Sequence, residues 1–345
     1  MIHLEDFDPS GCSAANGNLI GLPFDEENAK IVLLPVPWEV TVSYSAGTAR
    51  APENILEASY QLDLYDADIK DAWRMGIFMR PTNKKILKKS DKYRYFAAMH
   101  IARIERQLRP KKRQLNKINV GCEKLHKWVE KSCLQLLEGE KVVGLVGGDH
   151  STPLGLLWAL GAHLGEAEFG ILQIDAHCDL RRAYEGFVYS HASIMYNALE
   201  TIPNLSKLVQ VGIRDYCQEE IDYAEAQGER VKIFFDQDIK EAHYEGRNFQ
   251  QVCLDIIQHL PQNVYISFDI DGLDPKLCPN TGTPVAGGFE LQEMFYLIKL
   301  LVKSGRKIIG FDVVETGTKS EWDGNVAARL LYKLANLTGH SQGFV

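Results

Sequence analysis

Three observations predict an α/β fold with a mainly parallel sheet and helices on both faces. Short apolar runs rich in Val, Ile and Phe recur along the 345 residues. Helical periodicity fills several of the gaps between them. Three short stretches that combine Asp with His, or Asp with a second Asp, each follow directly after an apolar run. These are Gly147-Gly148-Asp149-His150-Ser151, Asp175-Ala176-His177-Cys178-Asp179 and Ser267-Phe268-Asp269-Ile270-Asp271. Ligands in open parallel sheets bind beyond the carboxyl ends of the strands, so this placement and the fold class support each other.

Taken in order, strands are predicted near 31–36, 75–79, 142–146, 169–174, 208–213, 231–235, 264–268 and 308–313. Each is short and nearly continuous in apolar residues, as expected where both faces are covered. Between them, Ala97, Ile101, Ile104 and Leu108 keep one helical face, and Ile118, Cys122, Leu125, Val129 and Leu136 keep another. Helices are also predicted at 291–303 and 322–336. No repeat, low-complexity tract or linker interrupts the pattern, so one domain over residues 1–345 is expected, with a basic helical excursion at about 82–118. That excursion carries most of its charge as Lys and Arg between Lys84 and Lys117. A solvated face, a subunit contact and a shield over a site mouth all suit such a segment.

A formal net charge of −8 argues against nucleic acid as a partner, since phosphate binding needs a basic face. No run reaches the ~20 apolar residues of a membrane helix. The seven cysteines are odd in number and lack a paired spacing, so no disulfide framework is expected. Residues 1–8 have neither a basic region nor an apolar core, so no secretion signal is expected and a cytoplasmic setting follows.

The three polar segments place His150, then Asp175, His177 and Asp179, then Asp269 and Asp271 at strand ends. Two imidazoles and four carboxylates are costly to bury without cations. If the chain stays extended past its strand, Asp175, His177 and Asp179 share one face. The Gly147-Gly148 pair lets backbone approach closely beside His150. Oxygen and imidazole ligands without thiolate favour Mn²⁺ or a similar ion over structural zinc. Cys178 lies between two candidate ligands, and alternation turns it away into packing. Asp274, before Pro275, reads as a turn former or an outer hydrogen-bond acceptor.

These motifs resemble the signature of the ureohydrolases, the arginase and agmatinase superfamily. The resemblance extends from residues 44–52 through Thr281-Gly282-Thr283-Pro284 to Glu315. It implies a three-layer α/β/α fold, an eight-stranded mainly parallel sheet and two Mn²⁺ per chain. It implies one ion on His150, Asp175, Asp179 and Asp269. The other ion would sit on Asp175, His177, Asp269 and Asp271, with Asp175 and Asp269 shared. His191, in Tyr189-Ser190-His191-Ala192-Ser193, corresponds to the family's proton shuttle, and Glu315 to its guanidinium-binding glutamate. The implied reaction is hydrolysis of a small cationic guanidino compound to urea and an amine. A trimer or hexamer is implied as well.

Arg181 stands where arginases carry an asparagine, and Cys217 where they carry an aspartate. The segment from Asp179 to Ser193 instead resembles the agmatinase-type branch. Agmatine is therefore the expected substrate, with Glu185 or Glu220 as acceptor for its distal amine. Arg181 admits a carboxylate-bearing tail, so arginine, guanidinobutyrate and formiminoglutamate stay open, as does free guanidine. A deacetylase-like or non-catalytic member of the fold is disfavoured, because both histidines, all four aspartates and His191 are present.

Overall fold

The computed structural model describes residues 7–345. Eight strands form one sheet in the order β2-β1-β3-β8-β7-β4-β5-β6. They are β1 (Ile31–Val36), β2 (Ile77–Met79), β3 (Val142–Gly147), β4 (Phe169–Ile174), β5 (Leu205–Ile213), β6 (Val231–Phe235), β7 (Asn263–Asp269) and β8 (Lys307–Val314). Every pairing is parallel. Side chains alternate between two cores. Ile31 and Leu33 of β1, Leu172 and Ile174 of β4, and Ile266 and Phe268 of β7 face one core. Val32 and Leu34, Phe169 and Ile171, and Tyr265 face the other. A strand buried on both sides leaves little room for polar residues, which is why these runs were visible in the sequence.

Ten helices cover the faces: α1 (Ala51–Ser59), α2 (Lys84–Glu105), α3 (Lys112–Glu138), α4 (Leu154–Leu164), α5 (Ile194–Thr201), α6 (Gln218–Ala226), α7 (Asp236–Tyr244), α8 (Phe249–Gln258), α9 (Leu291–Lys303) and α10 (Glu321–Ser341). Buried residues of α1 and α7–α10 join the first core. Those of α2–α6 join the second, which makes three layers. The helices begin where the sequence offers caps. Asn83 accepts from the amides of Lys85 and Ile86 at α2, and Ser320 accepts from Trp322 at α10. The basic stretch forms α2 and the start of α3. Leu108, expected on the buried face of one helix, lies beyond the end of α2 and is exposed. Among the described residues, no helix is long and apolar enough to cross a membrane.

The strand order sets the position of the site. β3, β8, β7 and β4 are neighbours at the middle of the sheet. His150 follows β3, Glu315 follows β8, Asp269 ends β7 with Asp271 just after it, and Asp175 follows β4. Residues up to 165 positions apart thus meet at one edge.

Candidate functional site

Each polar segment reaches the site by a specific backbone device. After β3 the chain passes Trp38 so closely that a Cβ on Gly148 would lie 2.0 Å from the Trp38 carbonyl oxygen. Only glycine fits there. Beyond β7, Asp269 caps a short helical turn, its carboxylate accepting from the Asp271 amide at 2.9 Å. After β4 the chain bridges once more at His177, to Asp215, but it does not stay extended as far as the sequence-based expectation has it. Asp179 takes a left-handed conformation, φ 55°, so a turn rather than strand alternation brings the third side chain of the motif inward. Cys178 does face away, into the second core.

The polar atoms converge on two groups. His150, Asp175 and Asp269 form one, and Asp175, His177 and Asp271 the other, so Asp175 belongs to both. His150 Nδ1 lies 2.9 Å from Asp175 Oδ2, 2.9 Å from Asp179 Oδ2 and 3.3 Å from Asp269 Oδ2. It is aligned for a hydrogen bond with none of them. One ring nitrogen cannot serve three carboxylates, but ligands around a cation take this arrangement. His150 Nε2 lies 2.9 Å from Ser267 Oγ, and a proton on that nitrogen leaves the Nδ1 lone pair for a metal. His177 Nδ1 lies 3.1 Å from Asp271 Oδ2 and 3.5 Å from Asp175 Oδ1. The Asp271 oxygen facing it has no hydrogen-bond partner. Buried orphan oxygens and a nitrogen with a free lone pair fit a site for divalent cations.

Two buried amides steady the shared carboxylate. Gln210 donates to Gln173 Oε1 at 2.6 Å, and Gln173 donates to Asp175 Oδ2 at 2.8 Å. The backbone amide of His177 donates to the other Asp175 oxygen at 2.7 Å.

The electrostatics follow from burying so many acids together. Burial raises Asp269 well above its ordinary range, and Asp271 and Asp175 add to the shift. Burial also raises Asp179, with Asp175 contributing. Asp175 moves the other way. Burial opposes its charge, yet His150 and His177 hold it below the usual carboxylate range. Burial likewise works against a proton on His150, but Asp175, Asp179 and Asp269 raise it well above 6.5. Protons and cations therefore compete for the same nitrogens and oxygens.

Above these groups lies a pocket of about 140 Å³, lined by His177, Asp179 and His191 among others. The His191 amide donates to Thr41 Oγ1 at 3.2 Å. Burial, with His177, His150 and Arg94 nearby, pushes the basicity of the His191 ring down to about 3. Glu315 also takes a left-handed conformation, φ 60°. Its Oε1 accepts from the His150 amide at 2.9 Å, while Oε2 is buried without a partner. Burial, with Asp149 adding, raises this carboxyl well above its ordinary range.

A model of the Arginase family matches residues 29–337. The N(1)-aminopropylagmatine ureohydrolase of Thermus thermophilus is 31% identical over 322 residues, covering 92% of this chain and 94% of that protein. The agmatinase of Halalkalibacterium halodurans is 28% identical and covers 84% of each chain. The chain belongs to the arginase family. Its architecture matches that of proclavaminate amidino hydrolase from Streptomyces clavuligerus, with a TM-score of 0.71, 21% identity and coverage of 96% and 100%. Like the family's members, the protein is a hydrolase.

Within this arginase-family site, the side chains expected to meet a substrate tail have different fates. Glu185 does not line the pocket. It adopts φ 53°, and its carboxylate is partly buried beside Arg94 and Glu105. The expectation of an amine acceptor there finds no support in this placement. Glu220 does line the pocket, but its oxygens are engaged. They accept from the amides of Leu180 and Cys217, each at 3.1 Å, in a capping box on α6. Arg181 lies 3.6 Å from Glu220 and stacks 5.0 Å from the Tyr184 ring. Asp274 accepts from the Lys276 amide at 3.0 Å, as a turn former does.

Sequence reading overlooked Ser43, Tyr184, Asp215, Tyr216 and Thr283, which also line the pocket. Asp215 is exposed, and its nearest charged neighbour is His177 Nε2 at 4.0 Å. Its position after β5, at the carboxyl edge of the sheet, was the available signal.

Proposed function

We propose that this chain is a binuclear manganese hydrolase that cleaves an agmatine-type guanidino compound to urea and an amine. One observation carries the reading: two groups of acid and imidazole ligands share Asp175 at the floor of a pocket that His191 also lines. His150, Asp175, Asp179 and Asp269 would hold one ion, and Asp175, His177, Asp269 and Asp271 the other. Bound there, the ions would supply the charge that lowers the pKa of a water toward neutrality and makes it a nucleophile.

The remaining steps belong to the chain's own residues. The unpartnered Oε2 of Glu315 would accept an N–H of the planar guanidinium and hold its carbon toward the metal groups. Once water has added to that carbon, the amine departs only when its nitrogen is protonated. His191 stands on the pocket wall, where its imidazole, uncharged in the resting site, would take up the proton released by the attacking water and pass it to that nitrogen. The tail of the substrate would lie along the loop wall. There Asp215 offers an exposed carboxylate, while the one guanidinium, Arg181, is already paired with Glu220. Such a wall suits a cationic tail better than a carboxylate. Relatives named for agmatine and for N(1)-aminopropylagmatine support the same class. A cytoplasmic homo-oligomer, trimer or hexamer, completes the proposal. Family resemblance supports the assembly, and seven free cysteines support a reducing compartment.

The test is urea release after Mn²⁺ loading, comparing agmatine, N(1)-aminopropylagmatine, arginine, guanidinobutyrate and guanidine. A charge-assisted hydrogen bond contributes about 1.5–3 kcal/mol, so a cationic-tail substrate should exceed arginine in kcat/KM by roughly 10- to 150-fold. Arginine ahead by about tenfold or more would overturn the assignment.

A further inference from the structure

The basic stretch between Lys84 and Lys117 has no part in the chemistry above, yet the helices it forms grip the loop that carries His191. On α2, His100 is buried, and its Nε2 donates to the Glu185 carbonyl oxygen at 2.8 Å. The same ring packs against Phe187, with centroids 5.2 Å apart. On α3, both ends of the Asn119 amide bind loop backbone. Nδ2 donates to the Gly186 carbonyl and Oδ1 accepts from the Val188 amide, each at 3.2 Å. Leu115 fills the space beneath Gly186, so closely that a Cβ there would meet it at 2.9 Å. His126 stacks on Tyr189, with centroids 5.2 Å apart.

These contacts fall on five consecutive residues, 185–189. Two of them, Glu185 and Gly186, hold left-handed conformations, which a free loop would relax. The ends of the held segment face the pocket. Tyr184 precedes it, His191 follows it by two residues, and their rings meet edge to face 5.8 Å apart. The sheet does not fix this segment. Its backbone is tied to α2, to α3 and, through Asn197 and the Val188 carbonyl, to α5.

We propose that the α2–α3 pair is a clamp on the 184–191 loop, and that His100 and Asn119 are positioning residues for proton transfer by His191. This rests on His191 as the proton donor proposed above. Neither residue lines the pocket. They act by fixing where the imidazole stands relative to the leaving nitrogen, and proton transfer is steep in that distance.

The experiment is a double-mutant cycle on the manganese-loaded, full-length protein with agmatine. His100→Ala and Asn119→Ala should each lower kcat by about tenfold, with KM and metal content nearly unchanged. His100→Gln keeps an N–H donor and should recover most of the loss. In a His191→Asn background, either alanine substitution should cost almost nothing further, because the group it positions is gone. The same loss in both backgrounds, or an unchanged kcat in the singles, overturns the clamp. Near-normal turnover by His191→Asn alone overturns the role of His191, and the clamp with it. If His100→Ala does not fold, Asn119→Ala on the rim carries the cycle by itself.

Discussion

The floor and the wall of the pocket are held in place by different means. On the floor, four carboxylates sit at or just past the ends of paired strands, and each of the four takes a backbone amide. The Ala176 amide donates to Asp271, His177 to Asp175, Asp271 to Asp269 and His150 to Glu315. On the wall, side chains hold one another or are held by helices: Arg181 by Glu220 and Tyr184, and residues 185–188 by His100 and Asn119. A frame of ladder hydrogen bonds fixes atoms to within tenths of an ångström, which metal ligation demands. A wall of loops tolerates exchange, which substrate choice demands. On the proposed function, cation ligation and recognition of the substrate tail thus fall to separable parts of the molecule, while the proton donor His191 stands on the wall.

The sharpest way to break this contrast is on the floor. Asp175→Ala removes a residue common to both proposed ion sites and should deplete both ions and abolish activity. Elemental analysis that finds two ions per chain in that variant would refute the shared role.

Acidity should also act on the floor. Burial raises Asp312 of β8, which accepts from the Tyr265 hydroxyl and the Phe268 amide next to Asp269, from 3.8 to about 6, and it holds Asp269 well above its ordinary range. A folded form that keeps protons the unfolded chain has released loses stability as pH rises, here from about pH 4 upward. His150, raised above 6.5, has the same sign. Its contribution is present below 6.5 and is lost as pH passes its folded value. Asp175, held low, works in the opposite direction but is outnumbered. Bound cations relieve the exposed charge, so the rise in Tm on adding Mn²⁺ should grow from about pH 5 to about pH 8. A rise that is independent of pH, or larger at the acid end, would contradict this.

The wall should give the smallest effects and sort its own residues. Asp215→Asn should lower kcat/KM for a cationic-tail substrate several-fold and leave guanidine unaffected. Glu185→Gln, at a residue off the pocket wall, should change kcat/KM by less than about threefold. If Glu185→Gln has the larger effect of the two, the loop is arranged differently in the working enzyme.

Much of the fold was legible before any coordinates. Residues 31–36, 169–174 and 231–235 form strands at the predicted boundaries, because continuous apolar runs have no other stable use at that length. The groups at strand ends were legible too, since buried acids need a reason. The wall was harder to read. Glu185 reads as an acceptor because composition does not report that its carboxylate lies beside Arg94 and Glu105 and not on the pocket wall. Asp215 is not singled out by the sequence, because its exposed place on the pocket wall, 4.0 Å from His177 Nε2, exists only in the folded chain.

The sequence by itself determined a parallel α/β sheet and the residue types able to bind cations at its carboxyl edge, because strand burial and charge burial leave local patterns. Tertiary structure decided which of those residues share a centre, which loop carboxylate lies exposed on the pocket wall, and which helices hold the His191 loop. His100 lies 85 residues from Glu185, and Asn119 lies 67 from Gly186. Hydrogen bonds to backbone carbonyls and amides place no demand on the identity of the loop residue. They leave no trace in the sequence until the chain has folded.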